Sequence, residues 1–164
     1  MASEQAFRAL SAGLKFEQDG YSFYLKAAAT VEVEEVRATL ASLAEEEQVH
    51  EAMIARQINA LEAEGGFVLI PGVEPVELDL ARELFPPDAQ AIKGKVGKFA
   101  TDLEALQYAL EVESSSYAHY KQAAQEIEDP DGKLMFRWLA AAELSHFNVL
   151  MSIYEATNER LSWQ

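Results

Sequence analysis

Slid against itself by 96 positions, the chain falls into register without a gap: Leu10 lands on Leu106, Leu14 on Leu110, Glu17 on Glu113, Tyr21 on Tyr117 and Tyr24 on Tyr120. Further along, Ala27 and Ala28 meet Ala123 and Ala124, Leu43 and Ala44 meet Leu139 and Ala140, Glu47 meets Glu143, and His50 meets His146. A chain of this kind has to pack two copies of one unit, and spacing identifies the unit. The matched positions step by four and three, the period of a helix that buries one face. Each copy contains two such runs, so the unit is a helical hairpin. Two hairpins that bury their stripes against one another predict a four-helix bundle.

Glycine and proline mark the boundaries. Helical periodicity without internal proline runs over residues 3–29 and 32–63. The stretch GGFVLIPGVEPVELDLARELFPP, residues 65–87, holds four of the five prolines and breaks the pattern. Periodicity returns near Lys98, reaches Ile127, pauses at the turn Glu128-Asp129-Pro130-Asp131-Gly132 and continues to about residue 160. The predicted hairpins therefore span about 3–63 and 98–160, joined by a crossover over about 64–97, with residues 1–164 forming one domain. The long link has a geometric use, because it runs back along a helix roughly 40 Å in length. Its FVLI run reads equally as a short strand or as an apolar strap across the bundle.

The stripes are not wholly apolar. In the first helix the stripe is Leu10, Leu14, Glu17, Tyr21, Tyr24 and Ala28; in the second it is Val36, Leu40, Leu43, Glu47, His50, Ile54 and Leu61. The third carries Leu106, Leu110, Glu113, Tyr117, Tyr120 and Ala124, and the fourth Phe136, Leu139, Glu143, His146, Leu150 and Ile153. Four glutamates and two histidines thus face one core. An unpaired buried charge costs several kcal/mol, against a total stability of about 5–15 kcal/mol, and no lysine or arginine lies on any stripe. Two divalent cations balance four carboxylates, and imidazoles add neutral nitrogen ligands. Glu17, Glu47, His50, Glu113, Glu143 and His146 are therefore the candidate metal ligands.

One Glu-x-x-His alone is a weak signal in so acidic a chain. Here it occurs twice at the same point of a repeat, each time 30 residues after another glutamate (Glu17 to Glu47, Glu113 to Glu143). That is the bundle arrangement in which two helices give one glutamate each and two give Glu-x-x-His. Tyr24 and Tyr120, with Tyr21 and Tyr117, lie one and two turns beyond a ligand glutamate, as core aromatics or as supports for the ligands. No catalytic residue is expected beyond the metal centre. His119 is matched by Phe23 and reads as structural, while Glu45, Glu46 and Glu51 read as a solvated face turned away from the site.

Composition narrows the rest. The chain has no cysteine, which removes disulfides, thiolate zinc sites, iron–sulfur clusters and thiol nucleophiles. Its net charge of −15, from 28 acidic and 13 basic residues, repels nucleic acid and attracts cations. There is neither a membrane-spanning apolar run nor a signal-peptide pattern, so no membrane partner and a cytoplasmic location are expected.

Over residues 5–62 and 100–158 the sequence resembles the rubrerythrin branch of the ferritin-like superfamily. The resemblance rests on Glu17-x-x-x-Tyr21-x-x-Tyr24 followed by Glu47-x-x-His50, and on the same series in the second half. It implies an all-α, ferritin-like four-helix bundle with a non-haem centre of two iron ions, manganese or zinc being substitutes. Glu47 and Glu143 would bridge the metals, with Glu17 and His50 on one and Glu113 and His146 on the other. It further implies a redox reaction with hydrogen peroxide or O2, a role in oxidative stress, a separate electron-donor protein and a homodimer. Two features depart from the pattern. Full-length rubrerythrins carry a four-cysteine rubredoxin-like domain, and they have a further glutamate where this chain has Ser116. The alternative is an iron-binding or iron-handling protein without significant peroxidase turnover.

Overall fold

The computed structural model describes residues 2–87 and 101–163, and within them it contains four helices: α1 (Ala2–Thr30), α2 (Glu34–Glu64), α3 (Asp102–Glu126) and α4 (Pro130–Ser162). The expected helix start near Lys98 and the end of the crossover fall outside the described residues. Each boundary has a local cause. Gly65 closes α2 at φ 79°, in the left-handed region, and returns its N–H to Leu61. Thr101 caps α3 by accepting the N–H of Glu104. Asp129 caps α4 by accepting the N–H groups of Asp131 and Gly132, with Pro130 in the first turn where its missing N–H costs nothing.

α1 pairs with α2 and α3 with α4; α1 also packs on α3, and α2 on α4. The order around the bundle is therefore α1, α2, α4, α3. Asp102 ties the hairpins at one end, where its carboxylate accepts the N–H groups of Glu32 (2.9 Å) and Val33 (2.8 Å) in the α1–α2 turn. At the opposite end Phe67 lies on Gly132 and edge-on to Phe136. The crossover thus starts at one end of the bundle and α3 starts at the other.

The FVLI run is a strap: no strand occurs among the described residues. Gln57, fully buried on α2, holds Val68 by donating to its C=O at 2.6 Å and accepting its N–H at 3.0 Å. Residues 79–84 then follow α3. The Tyr117 hydroxyl donates to the Arg82 carbonyl at 3.0 Å, and the Ser114 hydroxyl to that of Leu84 at 2.9 Å.

The α1 stripe differs from the expected one. Gly13, Gly20 and Ala27 are buried, whereas Leu14, Tyr21 and Ala28 are only partly so. The reason is steric. A Cβ on Gly13 would sit 3.0 Å from the Tyr120 ring, and one on Gly20 would sit 2.6 Å from Oε2 of Glu47. α1 turns its smallest residues to its neighbours so that larger side chains can reach the middle of the bundle. Among the described residues no helix is long and apolar enough to cross a membrane.

Candidate metal centre

The apolar layers of Leu10, Leu40, Leu106, Leu110 and Leu139 enclose a polar middle. There Glu17 of α1, Glu47 and His50 of α2, Glu113 of α3, and Glu143 and His146 of α4 converge, none more than 4% exposed. The helical period that buries the leucines buries these residues too, because they occupy stripe positions. They form two overlapping groups whose ligand atoms lie within 4.8 Å of one another: Glu17, Glu47, His50 and Glu143; and Glu47, Glu113, Glu143 and His146. Glu47 and Glu143 belong to both.

Nδ1 of His50 lies 3.3 Å from Glu17 and 3.2 Å from Glu143. Nδ1 of His146 lies 3.4 Å from Glu47, 3.5 Å from Glu113 and 3.7 Å from Glu143. The two imidazoles face one another across the bundle, 5.6 Å apart and nearly parallel. These approaches are close in charge but unaligned as hydrogen bonds. Glu17 Oε2, Glu47 Oε1, Glu113 Oε2, both carboxylate oxygens of Glu143 and both Nδ1 atoms are buried without a hydrogen-bond partner. Each such atom costs about 1–3 kcal/mol if nothing meets it. No lysine or arginine among the described residues pairs with the cluster. Orphaned oxygen and imidazole atoms in two groups of four are a donor set that divalent metal ions satisfy, so the residues present fit the implied group.

Protonation reports the same crowding. Burial, and then the Glu143 charge, pushes the Glu47 carboxyl up to about 11. Burial, with the charges of Glu113 and Glu17, holds that of Glu143 well above the usual range. Burial would raise Glu113 as well, but the neighbouring Glu143 carboxyl, the His146 imidazole and the Tyr24 hydroxyl together outweigh it and the net shift is downward. For His146 burial acts downward, and the surrounding Glu113, Glu143 and Glu47 reverse it, so the imidazole is held charged. Without a cation, protons do the neutralising.

The tyrosines divide into two pairs. The Tyr24 hydroxyl on α1 donates to Oε1 of Glu113 on α3, and the Tyr120 hydroxyl on α3 donates to Oε1 of Glu17 on α1. This crossed pairing spans the two hairpins. Tyr117 instead binds the strap, and Tyr21 is partly buried on the flank of α1. His119 bonds the Ala9 carbonyl through Nε2 at 2.9 Å, away from the cluster. Glu45 is exposed and Glu51 accepts from Gln18 at 3.1 Å.

Glu46 departs from expectation. Its carboxylate does not turn away but meets Nε2 of His146 at 2.7 Å from the neighbouring helix. Helical spacing places Glu46 one residue off the stripe, and its reach is a property of α2 and α4 together. Gly20 carries a signal of its own, since a glycine three residues beyond Glu17 inside a long helix marks a close approach.

The rubrerythrin family model matches residues 8–154. A hypothetical protein from Pyrococcus furiosus has a similar structure, with a TM-score of 0.66 and 25% sequence identity over 97% of this chain and 92% of that one. No curated protein matches the chain.

Proposed function

The chain belongs to the rubrerythrin family, and from that premise we propose that its buried cluster holds two iron ions and serves their redox reaction with hydrogen peroxide or dioxygen. The observation that carries this reading is the set of orphaned ligand atoms, shared between two groups through Glu47 and Glu143. Glu17 and His50 complete one position, and Glu113 and His146 the other. Bound there, ferrous ions supply one electron each, and two electrons with two protons take hydrogen peroxide to two waters.

The chain's own groups prepare that site. Glu47 and Glu143 belong to both groups and would hold both ions. Tyr24 and Tyr120 fix one oxygen of Glu113 and Glu17 and leave the other, Oε2, free to ligate. The enclosing leucines exclude bulk water, which strengthens every electrostatic contact inside. Re-reduction needs an electron donor, since these residues offer no cysteine thiolate for an iron relay of their own.

A second reading, iron handling without peroxidase turnover, is favoured by Ser116. It is buried, its hydroxyl turns back to the Val112 carbonyl at 2.8 Å, and it adds no further carboxylate to the cluster. Anaerobic loading followed by oxidants in separate cuvettes distinguishes the two. Uptake of two Fe(II) per chain with sustained peroxide consumption in the presence of a reductant supports the first. Oxidation of iron well beyond two per chain in air supports the second. A chain that takes up neither iron nor manganese excludes both.

Gly20→Ala gives a sharper check on the site. Alanine in a helix interior is worth about 1 kcal/mol over glycine, so the metal-free protein is expected to keep or gain thermal stability. The new Cβ, however, falls on the Glu47 carboxylate. Iron affinity, measured by titration calorimetry, is expected to drop at least tenfold. Unchanged affinity would show that the Glu47 position does not matter to the site.

A further inference from the structure

The two halves repeat their ligands but not what lies behind them. The outer nitrogen of His146 meets Glu46 at 2.7 Å. The position equivalent to Glu46 in the second hairpin is Ala142, which has no group to offer His50. The ring of His50 is packed instead by Trp138, edge-on at 5.6 Å, and the position equivalent to Trp138 is Ser42. Each histidine thus has its own kind of backing, one carboxylate and one indole.

We propose that Glu46 is a positioning residue that makes the two metal positions unequal, so that the Glu113–His146 position fills before the Glu17–His50 position. The inference rests on the two-metal reading above. Its physical basis is the choice an imidazole makes between its nitrogens. When a metal displaces the inner proton, Nε2–H donated to Glu46 keeps the remaining proton on the outer side and leaves the Nδ1 lone pair for the metal. The hydrogen-bonded ring is also held in one orientation and is a more basic donor. His50 has packing to hold its ring and the ligand carboxylates at Nδ1, but no carboxylate among the described residues meets its outer nitrogen. The remaining ligands are matched one for one, Glu17 with Glu113 and the shared Glu47 and Glu143, so the difference in backing is not offset elsewhere in the set. Glu46 is also suited to a test, since its side chain is 54% exposed and the fold does not depend on burying it.

Metal binding itself is the readout. Metal-free protein is titrated with Co(II), followed by calorimetry and by the visible absorption of the bound ion. The native chain is expected to take two Co(II) in two resolved steps. Glu46→Gln is expected to weaken the tighter step by about 10- to 100-fold, the usual effect of losing a carboxylate behind a ligand histidine, and to leave the weaker step in place. His50→Gln should retain the tight step, and His146→Gln should lose it. Ala142→Glu, which supplies the missing partner, should tighten the second step and bring the two together. A Glu46→Gln variant whose two steps both stay as they were, or both fall equally, overturns the inference while leaving the two-metal reading intact. A native chain that binds no Co(II), Fe(II) or Mn(II) takes both down.

Discussion

Glu143→Gln is expected to abolish tight binding of both metal ions while making the metal-free protein more stable. The two effects have one cause. Glu143 is fully buried, both of its oxygens lack hydrogen-bond partners, and it belongs to both ligand groups. Burial and the Glu113 and Glu17 charges push its carboxyl well above the usual range, toward the protonated form. Keeping a carboxylic acid of ordinary value 4.5 protonated at pH 7 costs about 3.5 kcal/mol, at roughly 1.4 kcal/mol per pH unit. Glutamine has nearly the same shape, needs no proton and can donate its amide hydrogens to the neighbouring carboxylates. Thermal denaturation in chelator should therefore show a higher midpoint for the variant, and calorimetry should show no tight iron site. Glu17→Gln, by contrast, belongs to one group and should leave one site. A lower midpoint for metal-free Glu143→Gln would mean that this carboxyl sits comfortably without a cation, which the proposed centre does not allow.

The expected opposition between stability and binding explains why so much of the candidate site was legible in the sequence. Acids among leucines violate the pattern that builds the bundle, and a repeated violation at matched positions marks a function. The period of four and three carried Glu47, His50, Glu113, Glu143 and His146 to the core, because on a helix a stripe position is a buried position. The four helices followed from the repeat, and their ends from Gly65, Asp129 and Pro130. What spacing does not carry is the rotation of one helix against its neighbours. The α1 stripe turned out to run through Gly13 and Gly20 rather than Leu14 and Tyr21, because Tyr120 and Glu47 need the space. The reach of Glu46 to His146 and the crossed bonds of Tyr24 and Tyr120 depend in the same way on distances between helices. The strap was undecided for a related reason. An apolar run of four residues suits a strand or a strap, and the buried amide of Gln57, eleven residues earlier, fixes the outcome.

Removing the metal should also reverse how stability depends on pH. Glu47 and Glu143 have values raised in the folded chain, so their contribution is full below the ordinary carboxyl value of 4.5 and is lost as pH rises above it. His146 is raised from 6.5, so its contribution is full below 6.5 and fades above. Glu113 is lowered; its contribution is present above 4.5 and is lost on the acid side, outside this window. Above pH 6.5 the folded chain therefore holds protons among Glu47, Glu143 and His146 that the unfolded chain releases. Each proton so held carries about 1.4 kcal/mol per pH unit, and its loss lowers stability as pH rises. Against a typical stability of about 5–15 kcal/mol, the chelated protein should melt at steadily lower temperature from pH 6.5 to 9. Iron-loaded protein should show the opposite trend, because the ligands bind metal deprotonated and competition from protons fades as pH rises. The same protons should appear in weakly buffered solution when iron is added near pH 7. A chelated protein whose midpoint is flat over that range, with no proton release on loading, would mean that protons do not stand in for cations among these carboxylates.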